Sequence, residues 1–186
     1  MTRRAQYVAC CHLTYVSTHM TYSSVFSSDT VLIGLLMAYL NNSDVLDGDI
    51  HNVFFGAPTT EKILSYAGNE WKSDEDKVVI AVRLLYGLKY SDLQFQNCLS
   101  GTLSNMIGYR SSVDEPDHWY KLMTDTDYFE YYSYILVYVD DLLLIMKCSK
   151  ETMAQIQDRF TGKHSIIEEP KSYIEVDINI IYYSNG

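Results

Sequence analysis

The stretch Tyr134-Ile-Leu-Val-Tyr-Val-Asp140-Asp141-Leu-Leu-Leu-Ile-Met146 reads as two apolar strands joined across a pair of aspartates. Its Val, Ile, Leu and Tyr content suits a buried hairpin. The flanking residues would be taken out of water, so the two neighbouring carboxylates would suffer desolvation and mutual repulsion. Each effect raises a carboxyl pKa unless a cation or hydrogen-bond donors compensate. A divalent metal would compensate. An ordinary hairpin whose solvent-exposed Asp-Asp turn ends both strands accounts for the same letters.

A second acidic segment lies upstream, in Asp44-Val-Leu-Asp47-Gly-Asp49-Ile-His-Asn-Val-Phe54-Phe55-Gly-Ala-Pro58. A short strand there ends in an acid before a turn-rich run, and it tips the balance towards a metal site. On a strand Asp47 and Asp49 share a face and Asp44 does not, so spacing alone leaves the choice of ligand open. Around these segments, helical periodicity is expected at 29–40, 92–107 and 150–160. In the first of these Val31, Leu32, Leu35, Leu36 and Tyr39 form one face, with Ser28 or Asp29 as N-cap. Strand-like runs fall at 45–51, 77–84, 118–123, 134–139, 142–147 and 173–182. Interleaved strands and helices favour an α+β fold.

The 186 residues suit one domain, able to bury roughly 70% of its unfolded surface without disulfides or a structural metal. Seventeen Tyr is an unusual load for an otherwise ordinary globular composition. Nothing approaches the roughly 20 apolar residues needed to cross a bilayer. The N-terminus, with Arg3, Arg4, Cys10, Cys11 and His12, does not read as a signal peptide. An intracellular, cytoplasmic protein that is neither membrane-bound nor secreted is expected. Cys10, Cys11, Cys98 and Cys148 lack paired zinc spacing and read as reduced thiols, and a Cys10, Cys11, His12, His19 cluster is disfavoured because adjacent Cys side chains rarely converge on one ion. A net charge of −10 opposes strong autonomous binding to nucleic acid, whose phosphates call for Lys and Arg.

The order Asp49-Ile-His-Asn-Val-Phe54, then Arg83-Leu-Leu-Tyr86-Gly87-Leu88-Lys89, then Tyr138-Val-Asp140-Asp141 resembles the reverse transcriptases of copia-type LTR retrotransposons. The likeness runs over nearly the whole chain. It takes in Arg3 to Thr14, Ala57-Pro58, Glu61-Lys62, Asp114-Glu-Pro-Asp117 and Glu168-Glu-Pro. The resemblance implies a ferredoxin-like polymerase palm, an antiparallel sheet backed by helices, with part of the fingers and no thumb. Fingers-like segments would be 1–43 and about 56–85, and the palm about 44–55 and 86–186. It selects Asp49 with Asp140 and Asp141 as catalytic residues and metal ligands. Two Mg²⁺ ions, with Mn²⁺ as a substitute, would serve template-directed transfer of deoxynucleotides to a primer 3′ hydroxyl on RNA or DNA. It further implies nucleotide contacts from Arg4, Phe54, Tyr86, Gly87, Lys89 and Lys163. Phe54 would act as a steric gate against a ribose 2′ hydroxyl; by itself it reads as a core aromatic. Without the resemblance, Tyr86-Gly87 reads as a turn and Lys163 as a solvated surface residue.

Departures from the family pattern bear on activity. Gln6 and Cys10-Cys11 stand where a second basic residue and a Gly-Gly pair are usual. Asp92 follows Lys89, and Tyr173-Ile174-Glu175 replaces a Tyr-Leu-Gly turn. These departures, the acidic charge and the lack of a thumb point to weak, nonprocessive engagement. They leave a noncatalytic retroelement relic, or an interaction protein recruited from one, as the alternative. In an intact element the domain would belong to a polyprotein in a virus-like particle. A nucleotide cyclase would also carry carboxylates on such a sheet, but Phe54 and the Leu85-to-Lys89 segment oppose it.

Overall fold

A computed structural model describes residues 27–50, 53–160, 167–173, 176–179 and 181. The chain divides into two compact units at 51/52 and at 98/99. The fold is α+β with antiparallel sheets.

The unit holding the acidic segments begins with helix α1, Ser28–Asn41. Ser27 caps it by accepting from the Thr30 N–H, and Asn42 closes it in the left-handed conformation (φ 49°), donating to the carbonyls of Ala38 and Tyr39. The apolar face expected from periodicity is rotated. Val31, Gly34 and Ala38 are buried while Leu32, Leu36 and Tyr39 are exposed. Close approach explains the difference, because a Cβ on Gly34 would stand 2.8 Å from Ile145 Cδ1. Small residues bring the helix backbone against the sheet, and larger ones are turned outward.

Strands β1 (Asp44–Asp49), β4 (Arg110–Ser111), β5 (His118–Thr124), β6 (Glu130–Tyr138), β7 (Asp141–Met146) and β8 (Ile167–Glu168) form one sheet, ordered β4-β5-β6-β7-β1-β8. Every neighbouring pair is antiparallel. Helix α3 (Ser91–Gly101), which continues as a π-helical turn through Thr102–Ile107, precedes β4. Helix α4 (Ser149–Phe160) links β7 to β8. The central strand β7 is buried from Leu142 to Met146. Its Leu143 and Ile145 meet Val31, Ala38, Leu136, Tyr173 and Ile178 on one face. On the other face Gly48 lies under Met153 of α4, where a Cβ would stand 2.7 Å from the Met153 methyl. Helices therefore cover both faces, with α1 on one and α4 on the other. Strands β9 (Ser172–Tyr173) and β10 (Val176–Asp177) make a separate short ladder.

The other unit holds a one-turn helix α2 (Val53–Gly56) and an antiparallel pair, β2 (Pro58–Tyr66) and β3 (Val78–Arg83). The pairing shifts register between Pro58 and Ile63. A 3-10 segment, Asn69–Asp74, connects the two strands. Among the described residues no helix is long and apolar enough to cross a membrane.

Candidate metal centre

The register of β1 on β7 ends with Asp49 opposite Asp141. Directly opposed residues of an antiparallel pair share a face, with Cβ atoms about 4.5–5.5 Å apart. One residue further, the Ile50 N–H donates to the Asp140 carbonyl at 3.0 Å. The early acid and the late pair thus meet at one end of the sheet. Asp47, two residues before Asp49, lies on the same face opposite Leu143. Asp44 stands opposite Met146 at the far end of β1 and faces the other way, so register removes one of the three acids that spacing left open.

Tyr138 pairs with Asp141, leaving Val139 and Asp140 as a two-residue turn. Val139 has φ 57° while Asp140 is not among the positive-φ residues, the pattern of a turn whose first position favours glycine. A β-branched residue there is strained by about 1–2 kcal/mol, and such strain persists only where the surroundings over-determine the backbone. Two contacts do so here. One is the Ile50 hydrogen bond, and the other is the Tyr173 hydroxyl, whose single proton is shared between the carbonyls of Leu136 and Asp141, each at 3.0 Å. Tyr173 is buried, and burial first, then the charges of Asp141 and Asp47, hold its hydroxyl well above the usual tyrosine pKa. It therefore stays protonated and keeps donating.

Asp141 retains exposed surface at the strand's end, yet its carboxyl is pushed up to about 6. Partial desolvation is the largest cause, followed by repulsion from Asp140, Asp47 and Asp49. The donors are hard carboxylate oxygens, the chemistry that Mg²⁺ or Mn²⁺ prefers, and a cation would relieve the repulsion that raises Asp141. In donor type and backbone placement the residues fit such an ion. Among the described residues, however, no three His, Cys, Asp or Glu side chains are gathered closely enough to hold one. What converges is the strand ends and the charge they carry.

The nucleotide-contact candidates Phe54, Tyr86, Gly87 and Lys89 belong to the other unit. Phe54 is buried, with its ring edge-on to Tyr86 at 4.7 Å between centroids and to Phe95 at 6.2 Å. Gly87 adopts φ 85°, which glycine reaches without strain. Lys89 is half-buried beside it. Arg4 and Lys163 lie outside the described residues, as do Gln6, Cys10, Cys11, His12, His19 and Glu175. Asp47, which spacing had left in competition with Asp49 on the same face, adds its charge to this end of the sheet. Tyr173 escaped the sequence reading as a member of the site, because it reaches the hairpin only through tertiary contact. No protein-family model matches the chain, and a search of curated proteins finds no relative.

Proposed function

We propose that the chain is a palm-type unit of the copia-like reverse transcriptase kind, in which Asp49, Asp140 and Asp141 hold divalent cations for nucleotidyl transfer to a primer. The observation that carries this reading is the cross-strand pairing of Asp49 with Asp141, beside a strained turn that presents Asp140. Strand order adds support. The partial order β6-β7-β1-β8, with α4 between β7 and β8, is that of a ferredoxin-like sheet, here extended beyond β6 by β5 and β4.

Magnesium, when bound, would activate the primer hydroxyl and neutralise the triphosphate. The protein's part is to hold carboxylates at the paired ends of β1 and β7 and in the turn between β6 and β7, where a bound cation would relieve their repulsion. Templated RNA or DNA with a primer and deoxynucleoside triphosphates would be the substrates.

The test is metal-dependent primer extension by the purified chain, with Mg²⁺ and then Mn²⁺, against Asp140→Asn. Incorporation by the wild type that vanishes in the variant supports the enzyme. A folded wild type that neither extends a primer nor binds Mn²⁺ overturns it. The net charge of −10 favours a second reading, a noncatalytic retroelement-derived unit. In that case the acids persist without substrate, and Mn²⁺ binding occurs without incorporation.

A further inference from the structure

Tyr173 stands on β9, outside the sheet that carries the acids, yet its hydroxyl ends between two strands of that sheet. The two acceptors are informative. Leu136 lies on β6 two residues before Tyr138, and Asp141 is the first residue of β7, so the hydroxyl bridges both arms of the hairpin just behind its turn. The turn contains Val139 at φ 57°. Left alone, a valine would relax to negative φ and re-aim the peptide that precedes Asp140. The Ile50 N–H fixes the outer carbonyl of the turn. The Tyr173 hydroxyl holds the carbonyls of Leu136 and Asp141, on the two strands that enter and leave the turn.

We propose that Tyr173 is a positioning residue whose hydroxyl ties the two arms of the hairpin behind the Val139-Asp140 turn, keeps that turn in its strained form and so sets the direction of the Asp140 and Asp141 carboxylates. Its ring also packs with Leu136, Leu143 and Ile145, a structural task that any aromatic would perform. The hydroxyl is what separates the two roles. The clamp deepens the metal-site reading and rests on it for its functional meaning, but its geometry can be tested without metal.

Tyr173→Phe keeps the ring and removes the hydroxyl. In the metal-free full chain, the strong intraresidue amide-to-Hα nuclear Overhauser effect that marks positive φ at residue 139 is expected to disappear, with the fold retained by circular dichroism. Mn²⁺ affinity, read by paramagnetic broadening of the hairpin resonances, is expected to fall about tenfold, as for loss of a group that orients a ligand. Adding Val139→Gly should restore that affinity, because glycine holds positive φ without a clamp. A Tyr173→Phe protein with the residue-139 signal and the Mn²⁺ affinity of wild type overturns the proposal. So does a weakened variant that Val139→Gly fails to rescue. If Tyr173→Phe does not fold, the double variant decides: recovery of a folded protein supports the clamp, and no recovery refutes it. A wild type that binds no Mn²⁺ removes the catalytic reading, and the residue-139 signal then judges the clamp alone.

Discussion

Two acids lie near opposite ends of the β6–β7 hairpin, Asp125 in the β5–β6 connection and Asp141 beside the turn, and they are treated in opposite ways. At the end away from the turn, Asp125 receives the Lys147 ammonium at 2.8 Å and the N–H groups of Asp127 and Phe129. These partners, the Lys147 hydrogen bond first, hold its carboxyl below the usual range. Lys147 in turn stands over the Tyr131 and Phe129 rings, at 4.8 and 5.8 Å from their centroids. At the other end Asp141 is surrounded by Asp140, Asp47 and Asp49 and is driven up to about 6. One sheet therefore supplies its own control. An acid that a fold uses as structure is given a cation and donors, whereas an acid kept among like charges needs a reason outside stability.

The comparison breaks most decisively at Asp49. If the repulsion at that end serves a cation, Asp49→Asn should weaken Mn²⁺ binding by about 100-fold or more, measured by titration. The same substitution at Asp125 should leave Mn²⁺ affinity unchanged. Equal effects at both ends would dissolve the distinction.

A thermal series sharpens the contrast from the paired end. Lys147→Met should lower the melting temperature at pH 7 and matter less as the solution is acidified. The sign follows from the depressed folded-state pKa of Asp125: its stabilisation is present above the ordinary carboxylate pKa and is lost as pH falls through the folded value. A pH-independent loss would assign the effect to ring packing instead.

The smallest effect concerns the crowded end. Asp141 binds its proton more tightly folded than unfolded, so its ionisation opposes folding and stability rises as pH falls from 7 through about 6 towards the ordinary value of 3.8. Asp141→Asn should stabilise the protein at pH 7 by about 1 kcal/mol, after allowing for solvent screening, and by nothing near pH 3. Denaturant midpoints at the two pH values check this. Millimolar Mg²⁺ should stabilise the wild type more than Asp141→Asn, by mass action on the folded form.

Much of this was legible in the letters where a single element decides the pattern. The apolar run around Asp140-Asp141 gave β6 and β7, and spacing at 29–40 announced α1, although its cap is Ser27 and not Ser28 or Asp29, which lie inside the first turn. The α1 face was misjudged because periodicity counts large apolar residues, while Gly34 and Ala38 decide how near the helix can come. Strand β2 was missed: Pro58-Thr-Thr-Glu-Lys opens with polar residues, and the apolar face of Leu64 and Tyr66 is exposed. Expected as one helix, 92–107 changes to a π-helical turn at Thr102, a backbone adjustment with no plain side-chain signature. At the site, alternation showed that Asp47 and Asp49 agree in direction. Alternation was silent on the pairing with Asp141, which only the family resemblance implied, because pairing depends on which strand becomes β1's neighbour. Tyr173 was hidden for the same reason.

Strand β1 lies between β7 and β8, both of which follow it in the chain. During synthesis it leaves the ribosome long before either partner, with both backbone edges open to any other strand. Asp44, Asp47 and Asp49 then place negative charge on each side of a ribbon that would otherwise invite pairing between nascent chains. The acids that crowd the finished sheet would already act as gatekeepers against aggregation while that sheet is still incomplete.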